Sequence, residues 1–399
     1  MLRMNSERTP DGTNGENAEP QSVTSDRRSL RLATFNAGLA VGMIDHSAER
    51  APYVVEALRR ESLDVLCVQE FWLDEHWKQL VAAVGSSLPN RLRPTASSEP
   101  ARAPCTEREI APVASCVEEY CADVDASELA LCAVRHCMNL AGGLSSACIG
   151  CLSRDPLRGS KEILAECVQT KAISSGPATK AGKRAPSARS AEPSGYFYGG
   201  SFGIGLLTRD RMLAADVLRI PSTQHPRAVL YARIDTPVVK DLHLFCTHLT
   251  PLLQAVPHAG RGSWRDEQSQ QVNAMLAFIE QKTSAGDAVV VLGDLNCGPA
   301  VGANIAARLP EHYERFMARG FRNPYLDPKD PECSFCYSNS LSGGSGGGGI
   351  LIDHILTRGI ALHARAERML DSPLDIAAGG LSVRTAYSDH YGLVLELGR

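Results

Sequence analysis

Ala288-Val289-Val290-Val291-Leu292-Gly293-Asp294-Leu295-Asn296 sets two polar side chains directly behind five apolar ones. A short apolar, largely β-branched run bounded by a turn signal reads as a buried strand. Asp294 and Asn296 then stand at its C-terminal end, two residues apart and on one side. The arrangement recurs along the chain. Residues 242–247 lead into Thr247-His248-Leu249, residues 30–35 end at Asn36, and residues 64–68 lead into Gln69-Glu70. Tyr387-Ser388-Asp389-His390-Tyr391 precedes another strand-like run at 392–397. Polar groups gathered at several strand ends describe one site assembled at the rim of a sheet. Carboxylates suit a hard metal ion, histidines suit proton transfer and phosphate contact, and asparagines suit orientation.

Taken singly, each signal has a plainer reading. Glu70 is then a solvated strand-end carboxylate, Asn36 a turn former before Gly38, and Asp294 with Asn296 a turn ahead of Gly298-Pro299. His248 and His390 are then packing histidines. The elements between the motifs weigh against that. Residues 47–60 and 72–84 carry apolar residues at helical spacing, so the chain opens strand–helix–strand–helix, an α/β start. Residues 197–207, 229–234 and 350–356 read as further strands, and 264–282 as a long amphipathic helix.

The pattern fails over residues 90–194. This stretch holds eight cysteines between Cys105 and Cys167, followed by a Lys/Ser/Ala/Pro/Gly-rich linker at 172–194. It reads as an insertion, a small helical, cysteine-stapled unit with a flexible return. Residues 117–139 favour helix. Cys116 and Cys121 are five apart, as are Cys132 and Cys137, so two antiparallel helices could be joined by two disulfides. Cys148-x-x-Cys151 lacks the second close pair of a zinc site, which favours disulfides or reduced thiols.

The 399 residues, 44% hydrophobic and 22% charged, allow a sizeable core. A net charge of −4 argues against a strongly basic nucleic-acid track, while leaving room for a nuclease with a local metal site. Residues 1–28 are polar, read as a disordered tail, and carry no secretory signal. No stretch has the apolar length of a membrane span. A cytoplasmic location follows from the missing signal, and export follows if the dense cysteines are paired. A monomer is the default assembly. Gly199-Gly200-Ser201-Phe202-Gly203-Ile204-Gly205 reads as part of a strand rather than a dinucleotide loop.

The ordered set Asn36, Glu70, Thr247-His248-Leu249, Gly293-Asp294-Leu295-Asn296, Ile352-Asp353-His354 and Ser388-Asp389-His390 resembles the endonuclease/exonuclease/phosphatase superfamily, of deoxyribonuclease I-like fold. The resemblance covers residues 30–399 apart from the insertion. It implies an α/β (or α+β) four-layered sandwich of two packed sheets flanked by helices, and Mg²⁺-dependent cleavage of a phosphoester, with Mn²⁺ as a substitute. It implies that Glu70 is the principal metal ligand, with Asn36 and Asp389 nearby. His248 and Asn296 would hold phosphate oxygens, Asp294 would align or deprotonate the attacking water, and Asp353 would pair with His390, the general acid or base. His354 departs from the tyrosine often found after that aspartate. Three branches stay open. The Thr247-His248-Leu249 and Tyr387–Tyr391 forms resemble neutral sphingomyelinase-type phospholipases C, with the insertion able to touch a membrane. A nuclease comes second, a phosphoinositide-type phosphatase third, and a non-catalytic scaffold is the reading from another class.

Overall fold

The computed structural model describes residues 29–97, 105–124, 129–152, 167–168, 196–253, 258, 262–344, 346–361 and 365–398. The tail expected at 1–28 and the linker at 172–194 lie outside them.

Two sheets pack face to face. The first contains β1 (Ser29–Asn36), β2 (Val65–Gln69), β3 (Asn90–Leu92), β4 (Gly205–Thr208), β13 (Glu367–Met369) and β16 (Gly392–Gly398), in the order β13-β16-β1-β2-β4-β3. The second contains β5 (Met212–Ile220), β6 (Arg227–Ile234), β7 (Leu242–His248), β8 (Val289–Asp294) and β12 (Asp353–Arg358), in the order β12-β8-β7-β6-β5. Short strands β9 (Ile305–Ala306), β10 (Phe335–Cys336) and β11 (Gly349–Ile350) form a small third sheet, and β14 (Leu374–Ala378) pairs with β15 (Leu381–Thr385) as a hairpin.

The sequence explains the layering. The strands at the centre of each sheet are apolar on both faces, as strands covered on both sides must be. Leu30 and Leu32 of β1 meet Leu242 and Leu244 of β7 and Val290 and Leu292 of β8 between the sheets. Val289 and Val291 point the other way, against α6 (Trp264–Lys282) and α7 (Pro310–Met317). Ala33 and Phe35 of β1 likewise turn to α1 (Ser47–Arg60) and α2 (Asp74–Val84). The result is the expected four-layered α/β sandwich. Each buried Leu or Phe contributes roughly 1.5–3 kcal/mol against chain entropy. A disulfide from Cys67 of β2 to Cys246 of β7 crosses the space between the sheets and closes a separation of 179 residues. A crosslink over so long a loop is worth roughly 5 kcal/mol on the chain-entropy account.

Register decides where the site lies. β1 and β2 run parallel with Asn36 opposite Gln69, and β7 and β8 run parallel with His248 opposite Asp294. β12 is antiparallel to β8, so Asp353, its first residue, also sits opposite Asp294. β16 is antiparallel to β1, which carries the preceding Asp389 and His390 to the same rim.

The insertion leaves from β3 and returns through β4, two paired strands. It contains α3 (Glu107–Tyr120), α4 (Leu129–Cys137), a 3-10 turn (Met138–Gly143) and α5 (Ser146–Leu152). Thr106 caps α3 by accepting from the Glu109 N–H, and its hydroxyl bonds back to the Glu109 carboxylate. Cys116–Cys137 and Cys121–Cys132 are nested bridges between α3 and α4, and Cys105–Cys148 and Cys151–Cys167 staple α5. Cys148 and Cys151 are thus disulfide-bonded to different partners.

One segment differs from its sequence reading. Residues 197–207 are not one strand: Phe197–Gly200 form a 3-10 turn, with Tyr198 and Gly199 in the left-handed region, and β4 starts only at Gly205. The glycines here admit tryptophans. A Cβ on Gly203 would stand 2.5 Å from the Trp72 ring, and one on Gly205 2.3 Å from the Trp77 ring.

Candidate active site

The eight residues read from the sequence converge on one cavity of about 430 Å³. Glu70, His248, Asp294, Asn296, Asp389 and His390 line it, while Asn36 and Asp353 stand immediately behind. Asn36 joins the two sheets at this point. Its amide Nδ2 donates to Glu70 Oε1 at 3.2 Å and to Asp294 Oδ2 at 3.0 Å, and its Oδ1 accepts from the Gly38 N–H at 3.1 Å.

Glu70 and Asp389 are the partly exposed carboxylates of the cavity. Burial and then the charge of Asp389 raise the Glu70 pKa, so the pair is short of positive charge. Glu70 also adopts φ 61°, a left-handed backbone that a non-glycine residue occupies at a cost of about 1–3 kcal/mol. Asn296 does the same at φ 48°. The opposite wall is deeper. Asp294 is buried, and burial together with the charge of Asp353 lifts its carboxyl to about 7, against the bonds from the Asn296 N–H and Asn36. Asp353 Oδ2 lies 2.8 Å from His390 Nδ1. Burial alone would lower the His390 pKa, but Asp353 and Asp389 outweigh it and hold the ring well above its ordinary value. His390 is therefore an imidazolium at neutral pH whose Nδ1–H donates to Asp353. His390 Nε2 lies 4.0 Å from Asp294 Oδ2.

His248 Nε2 is 3.4 Å from Asp294 Oδ2. Burial, then the nearby Arg227 and His390 cations, push this ring well below its usual range, so it stays neutral. Its Nδ1 has no hydrogen-bond partner among the described residues, nor has Arg227 Nε. A bound anion would satisfy the Arg227 Nε–H, and the His248 Nδ1 too when the neutral ring carries its proton there. The Asn296 amide donates to the Leu249 carbonyl at 3.0 Å, which orients it beside them.

Those observations test the fit of a hard cation and of phosphate. Two partly exposed carboxylates, Glu70 steadied by the Asn36 amide N–H, form an oxygen donor set suited to Mg²⁺. Asp294, Asp353 and His390 also lie close enough together to hold an ion. However, both His390 Nδ1 and Asp353 Oδ2 are spent on each other there, so Glu70 and Asp389 are the better donors.

Sequence reasoning missed four supports of the site. Arg50 of α1 is fully buried, and its guanidinium donates to the carbonyls of Ala37, Gly38, Asp45 and Tyr387, clamping the two loops on either side of Asp389. A Cβ on Gly38, at φ 54°, would lie 2.5 Å from Asp389 Oδ1, so only glycine lets the loops approach. Arg227, buried at the start of β6, sits within the field of Glu70, Asp294 and Glu267 and donates to the His248 carbonyl at 3.4 Å. His354 supports from behind: Nε2–H donates to the Cys297 carbonyl at 2.8 Å, and Nδ1 accepts from the Asn323 amide at 3.1 Å. The fourth support, an aromatic wall, faces the carboxylates. Trp72 stacks on Tyr198 with ring centroids 5.3 Å apart, and His225 packs on Trp72 and Phe197.

Comparison with known proteins agrees with the fold. Sphingomyelinase C from Streptomyces griseocarneus superposes with a TM-score of 0.50, at 16% sequence identity, covering 92% of this chain and 99% of that one. A beta toxin mutant from Staphylococcus aureus, with bound magnesium ions, gives a TM-score of 0.52 at 12% identity, covering 93% and 100%. At these identities the likeness speaks for the fold alone. No curated protein matches the sequence. The sequence profile of the Endonuclease/Exonuclease/phosphatase family matches residues 33–390, from the first strand to His390. Members of that family are generally hydrolases of phosphoesters. On that match, and with the rim residues assembled at one cavity, the chain belongs to the endonuclease/exonuclease/phosphatase family.

Proposed function

We propose that the protein is a Mg²⁺-dependent phosphodiester hydrolase of sphingomyelinase or phospholipase C type, with Mn²⁺ as an alternative ion. One observation carries the reading: partly exposed Glu70 and Asp389 face buried Asp294 and the His390–Asp353 pair across a single cavity. Glu70 and Asp389, ordered by Asn36, would hold the cation, which supplies positive charge to the phosphoryl oxygens. His248 Nδ1, Asn296 and Arg227 would hold those oxygens. Asp294, poised near neutrality, accepts the proton of the attacking water, and His390 gives its proton to the leaving oxygen.

The cavity lining favours a lipid over a nucleic acid. Its cationic side chains among those described are Arg227, Arg308 and the His390 imidazolium, and Arg227 and His390 are buried. A polynucleotide needs a basic track for its phosphates. Trp72, Phe197, Tyr198, Leu252 and Trp264 offer apolar surface instead. Twelve of the thirteen cysteines are paired, and Cys297 is buried and free, which supports an oxidising, extracellular compartment. Peripheral contact with a membrane through the insertion belongs to the same reading; no helix among the described residues is long and apolar enough to cross a membrane.

The test is Mg²⁺-dependent hydrolysis of sphingomyelin vesicles and of plasmid DNA side by side, with a His390→Ala control. Phosphocholine release lost in the control is the expected result. Nicked DNA without phosphocholine release would replace the lipid with a nucleic acid, and inactivity on both would overturn the assignment.

A further inference from the structure

The insertion reaches the cavity. Ile149, in the middle of α5, is half-buried, lines the same cavity as Glu70 and His390, and packs against the cluster of Ala40, Trp72, Phe197 and Tyr198. It stands apart from the phosphoester machinery, among apolar atoms, and nothing in the hydrolytic reaction requires it.

Its position is fixed by chemistry on either side. Cys148, the residue before it, is bridged to Cys105, and Cys151, two residues after it, is bridged to Cys167. The Cys105 N–H donates to the Cys167 carbonyl at 3.1 Å, which ties the two bridges together. The Ser145 carbonyl accepts from the Ile149 N–H at 3.0 Å, and Ser145 Oγ bonds to the Glu109 carboxylate of α3. A helix of seven residues has too few internal bonds to persist alone in water. Without the bridges α5 would have little to hold it on the cavity. The surface it meets is equally anchored: Tyr198 donates its hydroxyl to the Val41 carbonyl at 3.0 Å and stacks on Trp72.

We propose that Ile149 is a specificity-determining residue, and that the disulfide-stapled insertion sorts phosphodiesters by the apolar group they carry beside the phosphorus. The inference rests on the phosphodiesterase reading above and extends it to one substrate feature. An alkyl substituent long enough to lie against Ile149, Trp72 and Tyr198 would leave water there, whereas a methyl substituent has little apolar surface to bury. Around such a contact, a change of a few carbon atoms alters selectivity by about ten-fold.

The experiment compares methyl 4-nitrophenyl phosphate with hexyl 4-nitrophenyl phosphate, which share a leaving group and differ only in the alkyl chain. Full-length protein is assayed with Mg²⁺, and kcat/KM is measured for both. Wild type is expected to prefer the hexyl diester. Ile149→Ala, which opens the wall, and Ile149→Trp, which fills the cavity, should each lower the hexyl-to-methyl ratio about ten-fold. A Cys105→Ser/Cys148→Ser double variant should shift the ratio in the same direction, with far-UV circular dichroism reporting that the sandwich persists. Hydrolysis of both diesters with the same ratio in wild type and both Ile149 variants would overturn this inference and leave the phosphodiesterase reading standing. Hydrolysis of neither by wild type would overturn both.

Discussion

The two sheets offer the cavity the same residue types in opposite settings. The six-stranded sheet brings Glu70 and Asp389 on loops beyond its strand ends, both partly exposed, with burial and then the charge of Asp389 raising the Glu70 pKa. The five-stranded sheet brings Asp294 and Asp353 within its strands, both buried. A carboxylate that stays wet can exchange its water for a hydrated cation. A carboxylate out of water holds its proton more tightly, as Asp294 does at about 7. Environment rather than residue type separates the roles, one rim for charge and the other for protons.

That contrast can be broken from the proton side first. His390→Ala or Asp294→Ala should lower kcat by about 10²- to 10⁴-fold, the range of a lost general acid or base. Calorimetry on His390→Ala should still detect Mg²⁺ binding; a variant with near-normal turnover would remove its residue from the chemistry. Asp353→Asn is the subtler cut, with an expected loss of about 100-fold, the scale of a lost supporting group behind a reactive one. Asp353 is the larger of the charges that raise His390. Losing it lowers the imidazolium pKa, so the protonated ring, and kcat/KM with it, should disappear at a lower pH than in wild type. An unmoved basic limb would show that the pair does not set that ionisation.

The smallest expected effect concerns stability. His354 is buried with its pKa held down to about 4, from an ordinary value near 6.5. Unfolded chains bind its proton below 6.5 while the folded one resists until about 4. The stabilisation is therefore complete above 6.5 and is lost as pH falls through that window, up to roughly 3 kcal/mol. Denaturant titrations at pH 7.5, 5.5 and 4.5 should show the decline, and His354→Gln should make it shallower, the other buried histidines such as His312 keeping their share. An equal slope in the variant would assign the acid sensitivity elsewhere.

Much of this arrangement was legible because strand ends leave a local signal. Helices α1 and α6 occupy the stretches that their periodicity predicts, and the polar residues closing apolar runs line the cavity or stand directly behind it. Other parts were illegible for physical reasons. Arg50 follows helical spacing with Val54 and Leu58, so it lies on the apolar stripe of α1, and that misplacement was its only signal. Its partners, from Ala37 to Tyr387, are distant in sequence. Cys67 and Cys246 are 179 residues apart and hide inside apolar strands, whereas the dense cysteines of the insertion announce themselves. Strand β5 alternates too weakly to be read, being half exposed at a sheet edge, and α7 begins at a left-handed Leu309 without a side-chain cap. Gly203 looked like a strand residue because the Trp72 ring it admits comes from elsewhere in the chain.

The central claim is that the wet rim exists to hold a cation for the dry one. The direct measurement strips the protein of metal, then follows hydrolysis of a 4-nitrophenyl phosphodiester as Mg²⁺ is restored, for wild type and Glu70→Gln. The account predicts saturable recovery in wild type, with the variant needing at least about ten-fold more Mg²⁺ or failing to recover. Turnover in the stripped wild-type protein, or identical Mg²⁺ dependence in the two proteins, would contradict it.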